Sequence, residues 1–220
     1  MRQILKSLLK GIIMNKLAVS FISISLISSA VIAEEPVSAQ ERNTGVFIGL
    51  DVFDGETELT REFSSSTGKS DIDQSGFRLK FGVQDKNNIR FQGYFKVESL
   101  GNDIPALASD GKIYGFGADA MFTFPTSSNF SPYVLIGLSS DFAELDDDGT
   151  DYSEDSLSAF ALKAGAGGLF KLNKQFEFQI GYDVHYRSWQ EIQSVDITGS
   201  VDLEQHDVSK IIYVGLNFFF

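Results

Sequence analysis

From residue 44 to residue 220, apolar side chains recur at every second position, the spacing of a strand with one face in an apolar medium. Eight segments show it: 44–53, 76–84, 89–98, 112–124, 132–139, 157–170, 176–187 and 210–220. In the first, Val46, Ile48, Leu50 and Val52 oppose Gly49 and Asp51; in the second, Phe77, Leu79, Phe81 and Val83 oppose Arg78, Lys80, Gly82 and Gln84. The seventh is the clearest, with Phe176, Phe178, Ile180, Tyr182, Val184 and Tyr186 against Glu177, Gln179, Asp183, His185 and Arg187. The fifth carries apolar residues on both faces.

The connections separate two architectures that both alternate. Gaps after the second, fourth and sixth segments are short (85–88, 125–131 and 171–175), whereas those after the first, third, fifth and seventh are long and polar. Strict alternation of tight turns with long loops is the mark of a meander crossing a bilayer, with turns on the periplasmic rim and loops outside. Segments of about ten residues suit a tilted transmembrane strand. In lipid every backbone N–H and C=O must pair, so the sheet has to close. The expected fold is all-β: an eight-stranded antiparallel up-and-down transmembrane β-barrel. A soluble sandwich or cup would have to pack the bulky Phe and Tyr face into a narrow centre.

Residues 1–33 differ in kind. Arg2, Lys6, Lys10 and Lys16 precede and open an apolar run from Leu17 that ends Val31-Ile32-Ala33, followed by Glu34-Glu35-Pro36. A basic start, an apolar stretch and a small-residue cleavage site read as a secretory signal peptide. Met14-Asn15-Lys16 would serve as a start of its own. The expected division is a signal peptide over 1–33, a short periplasmic segment over 34–43 and a barrel domain over 44–220. The address that follows is the outer membrane of a Gram-negative bacterium. The chain has no cysteine, which rules out thiol chemistry and lipoprotein processing.

Losing residues 1–33 removes four bases and no acid, so 18 bases fall to 14, the 30 acids remain, and the net charge becomes −16. Nucleic acid is excluded as a partner, because phosphate binding relies on Lys and Arg. The acids concentrate in the long connections: eight without a base in 140–157, five without a base in 188–208, and six against Arg61 and Lys69 in 54–74. The polar strand faces are nearly neutral: Arg78, Lys80, Arg90, Lys96, Lys163 and Arg187 against Asp51, Glu98, Asp119, Glu177 and Asp183. An eight-stranded barrel is just wide enough for side chains to fill, and buried charges must pair. These eleven residues are therefore expected to form an ion network in the lumen.

Chemical candidates are few. His185 and Asp183 share a face and could form an acid–base pair, but no serine nucleophile accompanies them; His206 falls in a loop as a solvated residue. Glu144, Asp146, Asp148, Thr150 and Asp155, with Gly149 at the sixth position, have the spacing of a calcium loop. The opening Asp and closing Glu are exchanged, however, and no helices flank the loop, so weak, salt-sensitive binding is expected. No cofactor is expected.

The stretches 114–139 and 162–187 pair a small-residue strand, a short turn with Asn or Lys, and an aromatic strand. In this they resemble the small outer-membrane β-barrel superfamily, which includes the transmembrane domain of outer membrane protein A and the Ail/OmpX-type surface proteins. The closing residues Ile212, Val214, Leu216, Phe218 and Phe220 resemble the terminal assembly signal of that group. The resemblance implies a monomer inserted by the barrel-assembly machinery, surrounded by lipid and lipopolysaccharide, and carrying no peptidoglycan-binding domain after Phe220. It also implies envelope or adhesive functions through the loops, with an unknown surface ligand. A narrow pore is the alternative, since inward Gly82, Gly115, Gly117 and Gly181 leave room. A lipid-A-modifying enzyme fits poorly: deacylase-type relatives use an outward His and Ser, whereas His185 points inward and Ser188 is three residues away.

Overall fold

A computed structural model describes residues 43–63, 66–101, 111–124, 126, 129–144, 156–196 and 199–220. The signal peptide and its cleavage site lie outside these residues. Among the described residues nine strands follow in order: β1 (Gly45–Phe63), β2 (Ser66–Gln84), β3 (Ile89–Leu100), β4 (Lys112–Thr123), β5 (Phe130–Glu144), β6 (Ser156–Lys171), β7 (Phe176–Trp189), β8 (Ile192–Asp196) and β9 (Gly199–Phe219). Each neighbouring pair is antiparallel, and β1 pairs with β9, which closes the sheet. The short β8 continues the line of β7 along β9, so the barrel has eight staves.

The alternation seen in the sequence sorts the two faces. Val46, Ile48, Leu50, Val52, Phe77, Leu79, Phe81 and Val83 are exposed, and so are their counterparts around the barrel, such as Phe95, Phe116, Ile136, Leu162, Tyr182 and Ile212. In water so continuous an apolar surface would be costly; in a bilayer it is the lipid face. The opposite parity is buried inside.

On the turn side, Asp85 accepts from the Lys86 amide at 2.6 Å and from Asn87 Nδ2 at 2.7 Å. Asn88 takes a positive φ of 67°, which Asn tolerates and which reverses the chain in few residues. Asn173 performs the same task for the β6–β7 turn, accepting from the amides of Gln175 and Phe176.

Three connections differ from the sequence expectation. Residues 54–74 are not a loop: β1 runs to Phe63 and β2 begins at Ser66, in unbroken register from Gly45↔Gln84 to Phe63↔Ser66. β5 extends to Glu144, and β9 begins at Gly199. Above the lipid belt neither face need be apolar, so the period-two signal fades while the backbone ladder continues. His206 accordingly lies on β9, half-buried, with its ring 6.1 Å from that of Tyr186, and not in a loop.

Candidate functional site: the filled lumen and the outer extension

All eleven charged residues assigned to the strand interiors are buried in the lumen. They stack in layers. At the turn end Arg90 Nη2 lies 2.7 Å from Glu177, while Arg90 Nε donates to Gln84 at 2.8 Å. Its guanidinium covers the Phe47 ring at 4.7 Å and the Phe219 ring at 5.6 Å. Asn217 Nδ2 adds a 3.0 Å bond to Glu177.

The middle layers pair three cations with three carboxylates. Lys80 Nζ sits 2.6 Å from Asp51 and donates to Gln179 at 2.7 Å. Arg78 Nη1 donates to Asp183 at 3.1 Å and stacks over Tyr213 at 4.7 Å. Lys163 Nζ lies 2.6 Å from Asp119 and 4.1 Å from the Tyr94 ring centre. The Tyr133 and Tyr213 hydroxyls share a 2.5 Å hydrogen bond across the lumen, and Gln179 Nε2 donates to both oxygens.

Carboxylates fit because their neighbours are small. Asp51 faces Gly215 across the ladder, Asp119 faces Gly137, Asp141 faces Gly115 and Asp183 faces Gly165. A Cβ on any of these glycines would strike the facing carboxylate. Aromatic rings occupy the space beside three of the other inward glycines. A Cβ at Gly82 would meet the Phe47 ring at 2.7 Å, and Gly117 and Gly181 lie under Tyr94 and Tyr213.

The outermost layer holds two acids that sequence reasoning placed in loops, Asp141 and Asp207. Arg187 lies 3.0 Å from Glu98, 3.3 Å from Asp141 and 3.5 Å from Asp207. Lys96 Nζ contacts Glu98 at 3.0 Å and Asp141 at 2.9 Å. Trp189 Nε1 donates to Asp207 at 2.7 Å. The tally of six bases against five acids is thereby corrected to six against seven. Parity carried past the apolar segments would have found both: Asp141 shares the parity of Gly137 and Ser139, and Asp207 that of Ile211 and Tyr213. Above this layer Leu59, Ile72, Leu100, Ile113, Leu157 and Trp189 form an apolar cap.

His185 Nε2 and Asp183 Oδ2 are 3.7 Å apart, both buried, and Asp183 is also held by Arg78. Ser188 faces outward, away from them. Of the calcium-loop residues Glu144 is the exposed last residue of β5; Asp146, Asp148, Thr150 and Asp155 lie outside the described residues. Among the described residues no group of three or more ligating side chains is arranged to hold a metal ion. In the proposed assembly signal, Ile212 and Phe220 are exposed and Val214, Leu216 and Phe218 half-buried, all on the lipid side; Phe218 packs against Phe176 at 5.2 Å and Phe220 at 5.2 Å.

Beyond Val52 the β1–β2 hairpin and β9 project past the lipid belt. Their outward side chains there include Asp54, Glu56, Glu58, Asp71 and Asp73, with Lys69 and Lys210. Glu56 stands directly opposite Asp73, and Glu58 opposite Asp71. Like charges so placed destabilise a ladder. Lys69 relieves one of them, donating to Glu58 at 2.7 Å. That bond holds the Glu58 carboxyl below the usual carboxylate range and raises the Lys69 ammonium.

A closed antiparallel sheet with an apolar outside and a paired, charged inside defines an integral outer-membrane β-barrel. Residues 21–209 match the outer membrane protein β-barrel domain family, and the chain belongs to it. Its location is the outer membrane of a Gram-negative bacterium. Comparison with curated protein sequences yields no significant match. Among solved structures, OprG of Pseudomonas aeruginosa is similar with a TM-score of 0.54 and 13% identity over 82% of this chain and 98% of that one. Neisserial surface protein A is similar with a TM-score of 0.50 and 19% identity over 82% of this chain and 100% of its own.

Proposed function

We propose that this protein is a closed, non-enzymatic barrel that acts at the cell surface through the acidic outer face of its β1–β2–β9 extension. The observation that carries the reading is the pairing of Glu56 with Asp73 and Glu58 with Asp71 on a projecting ladder. A fold that needed only to span the membrane would gain nothing from opposing like charges there, whereas a cationic partner or surface would relieve them. The filled lumen supports the same view against a pore, because charged and aromatic side chains occupy the space beside the inward glycines. Outward Ser188 is the register partner of His206 on β9, so the lipid A measurement below is the direct test of a role without catalysis. The partners proposed are the surrounding lipid and lipopolysaccharide and the barrel-assembly machinery, with the protein acting as a monomer.

The experiment compares cells bearing wild type with cells bearing the quadruple variant Glu56→Gln, Glu58→Gln, Asp71→Asn, Asp73→Asn. Wild-type cells should bind a poly-lysine surface in a salt-sensitive manner, and variant cells should bind it several-fold less. Equal binding by both, with equal amounts of folded barrel, would sink the proposal. Steady single-channel conductance in planar bilayers, or an altered lipid A acyl pattern in overexpressing cells, would instead favour a conduit or an enzyme.

A further inference from the structure

The projecting hairpin has an open strand edge. β2 pairs with β3 only from Gln74↔Leu100 to Gln84↔Arg90, and one further bond, from the Gly101 amide to the Asp73 carbonyl, ends that ladder. Over residues 67–71, β2 is held by β1 alone among the described residues. All five residues are exposed, and a Cβ added at Gly68 would meet nothing within 4 Å. The N–H and C=O of a strand residue point to one side, and the side alternates along the strand. Since the Asp73 carbonyl points to the β3 side, Thr67, Lys69 and Asp71 aim their backbone groups at the open edge. A row of unpaired amides and carbonyls is a template for another strand.

Charge decides which strand fits. Asp71 stands opposite Glu58 across the ladder, and Lys69 gives its bond to Glu58 at 2.7 Å. Asp71 therefore has no ion pair of its own among the described residues. A second copy of β2, reversed about Ser70, would bring Lys69 opposite Asp71 and Asp71 opposite Lys69, both as hydrogen-bonded pairs through the open edge. Gly68 would then lie opposite Ile72, and Ser70 opposite Ser70 on the axis. Sliding the copy two residues either way sets Asp71 against Asp71 or Lys69 against Lys69, and like charges directly opposite destabilise a ladder.

We propose that the 67–71 edge pairs antiparallel with the same edge of a second copy of this chain, centred on Ser70. Copies in one membrane carry β2 in the same sense along the membrane normal, so the antiparallel pair joins copies from two facing membranes. Each copy stays a monomer in its own membrane. A ladder of five residues is short, and contact between two surfaces gains its strength from many copies acting together. The pairing rests on the outward projection of the hairpin and not on a cationic partner for its acidic face.

The protein has no cysteine, so a single introduced one reports on the axis. In an antiparallel ladder the Cα atoms of a non-hydrogen-bonded pair lie about 4.5 Å apart, within disulfide reach. Refolded Ser70→Cys protein in detergent micelles, which impose no common orientation, should oxidise to a covalent dimer several-fold faster than Thr67→Cys, which the pairing sets opposite Asp73. In the Ser70→Cys background, Lys69→Asp alone and Asp71→Lys alone should each slow dimer formation several-fold. Mixing these two proteins should restore it as mixed dimers, because each then presents the charge that the other needs; equal heat-modifiable bands check that both are folded. Lys69→Asp adds negative charge, so it should strengthen poly-lysine binding while weakening self-pairing, which separates this proposal from the surface reading above. Equal rates for Ser70→Cys and Thr67→Cys would overturn the pairing. So would single charge variants that dimerise like their Ser70→Cys parent, or a mixture that forms no mixed dimer.

Discussion

Replacing Arg187 by Met tests whether the outer charge layer holds the barrel shut. The guanidinium spans Glu98 at 3.0 Å, Asp141 at 3.3 Å and Asp207 at 3.5 Å, and lies 5.3 Å from the Trp189 ring centre. Met has a similar apolar stem, so volume changes little and the loss is mainly electrostatic. Three buried carboxylates would then share the single ammonium of Lys96, which reaches Glu98 and Asp141. Removing one partner of a buried ion pair costs about 3–5 kcal/mol, because the other is left unpaired. Against a typical total of about 5–15 kcal/mol this is a large fraction. Equilibrium urea unfolding in lipid vesicles, followed by circular dichroism, should show the midpoint falling accordingly. Adding Glu98→Gln to Arg187→Met should recover part of the loss, since one uncompensated charge disappears, and the double-mutant cycle should show a coupling well above the scatter of independent sites. An Arg187→Met protein within about 1 kcal/mol of wild type, well short of that cost, would refute the picture of Arg187 as the clasp of this layer.

Gly215→Ala should destabilise the barrel by about 1–3 kcal/mol, the usual cost of overpacking, because the new methyl collides with the Asp51 carboxylate; the same unfolding assay checks it. Deleting Phe220 should reduce heat-modifiable barrel in outer-membrane fractions by removing part of the Phe176–Phe218–Phe220 cluster, and Leu216→Arg should be worse, as a charge on the lipid face costs about 2–4 kcal/mol near mid-membrane. Equal folded yields for all three proteins would contradict the placement of β9. In the outer hairpin, the Glu58 carboxyl should titrate below its ordinary value of 4.5 by carbon-detected NMR and return to it in Lys69→Met. Because its pKa is depressed in the fold, the Glu58–Lys69 contact supports the hairpin above the ordinary value and is lost as pH falls through the lowered one; an unchanged titration in Lys69→Met would remove Lys69 as the cause.

Where the chain lies in lipid, its sequence carries the fold openly. Each transmembrane residue must choose between hydrocarbon and lumen, so parity along β7 from Phe176 to Arg187 states the orientation of every side chain without reference to the rest of the molecule. The same reasoning brings Asp51, Arg78, Lys163 and Arg187 inside. Above the belt the constraint lapses, since water accepts either face. There the strands continue through backbone hydrogen bonds, which leave no pattern in side-chain polarity, and so 54–74 reads as loop. Asp141 and Asp207 were hidden for that reason among acidic neighbours, although their parity matched the lumen. Other features arise only when strands far apart in the chain are brought into register. The match of Asp51 to Gly215 and the convergence of Glu98, Asp141 and Asp207 on Arg187 both depend on barrel closure. Local periodicity decides which way a side chain faces; the shear and register of the closed sheet decide which side chain it meets.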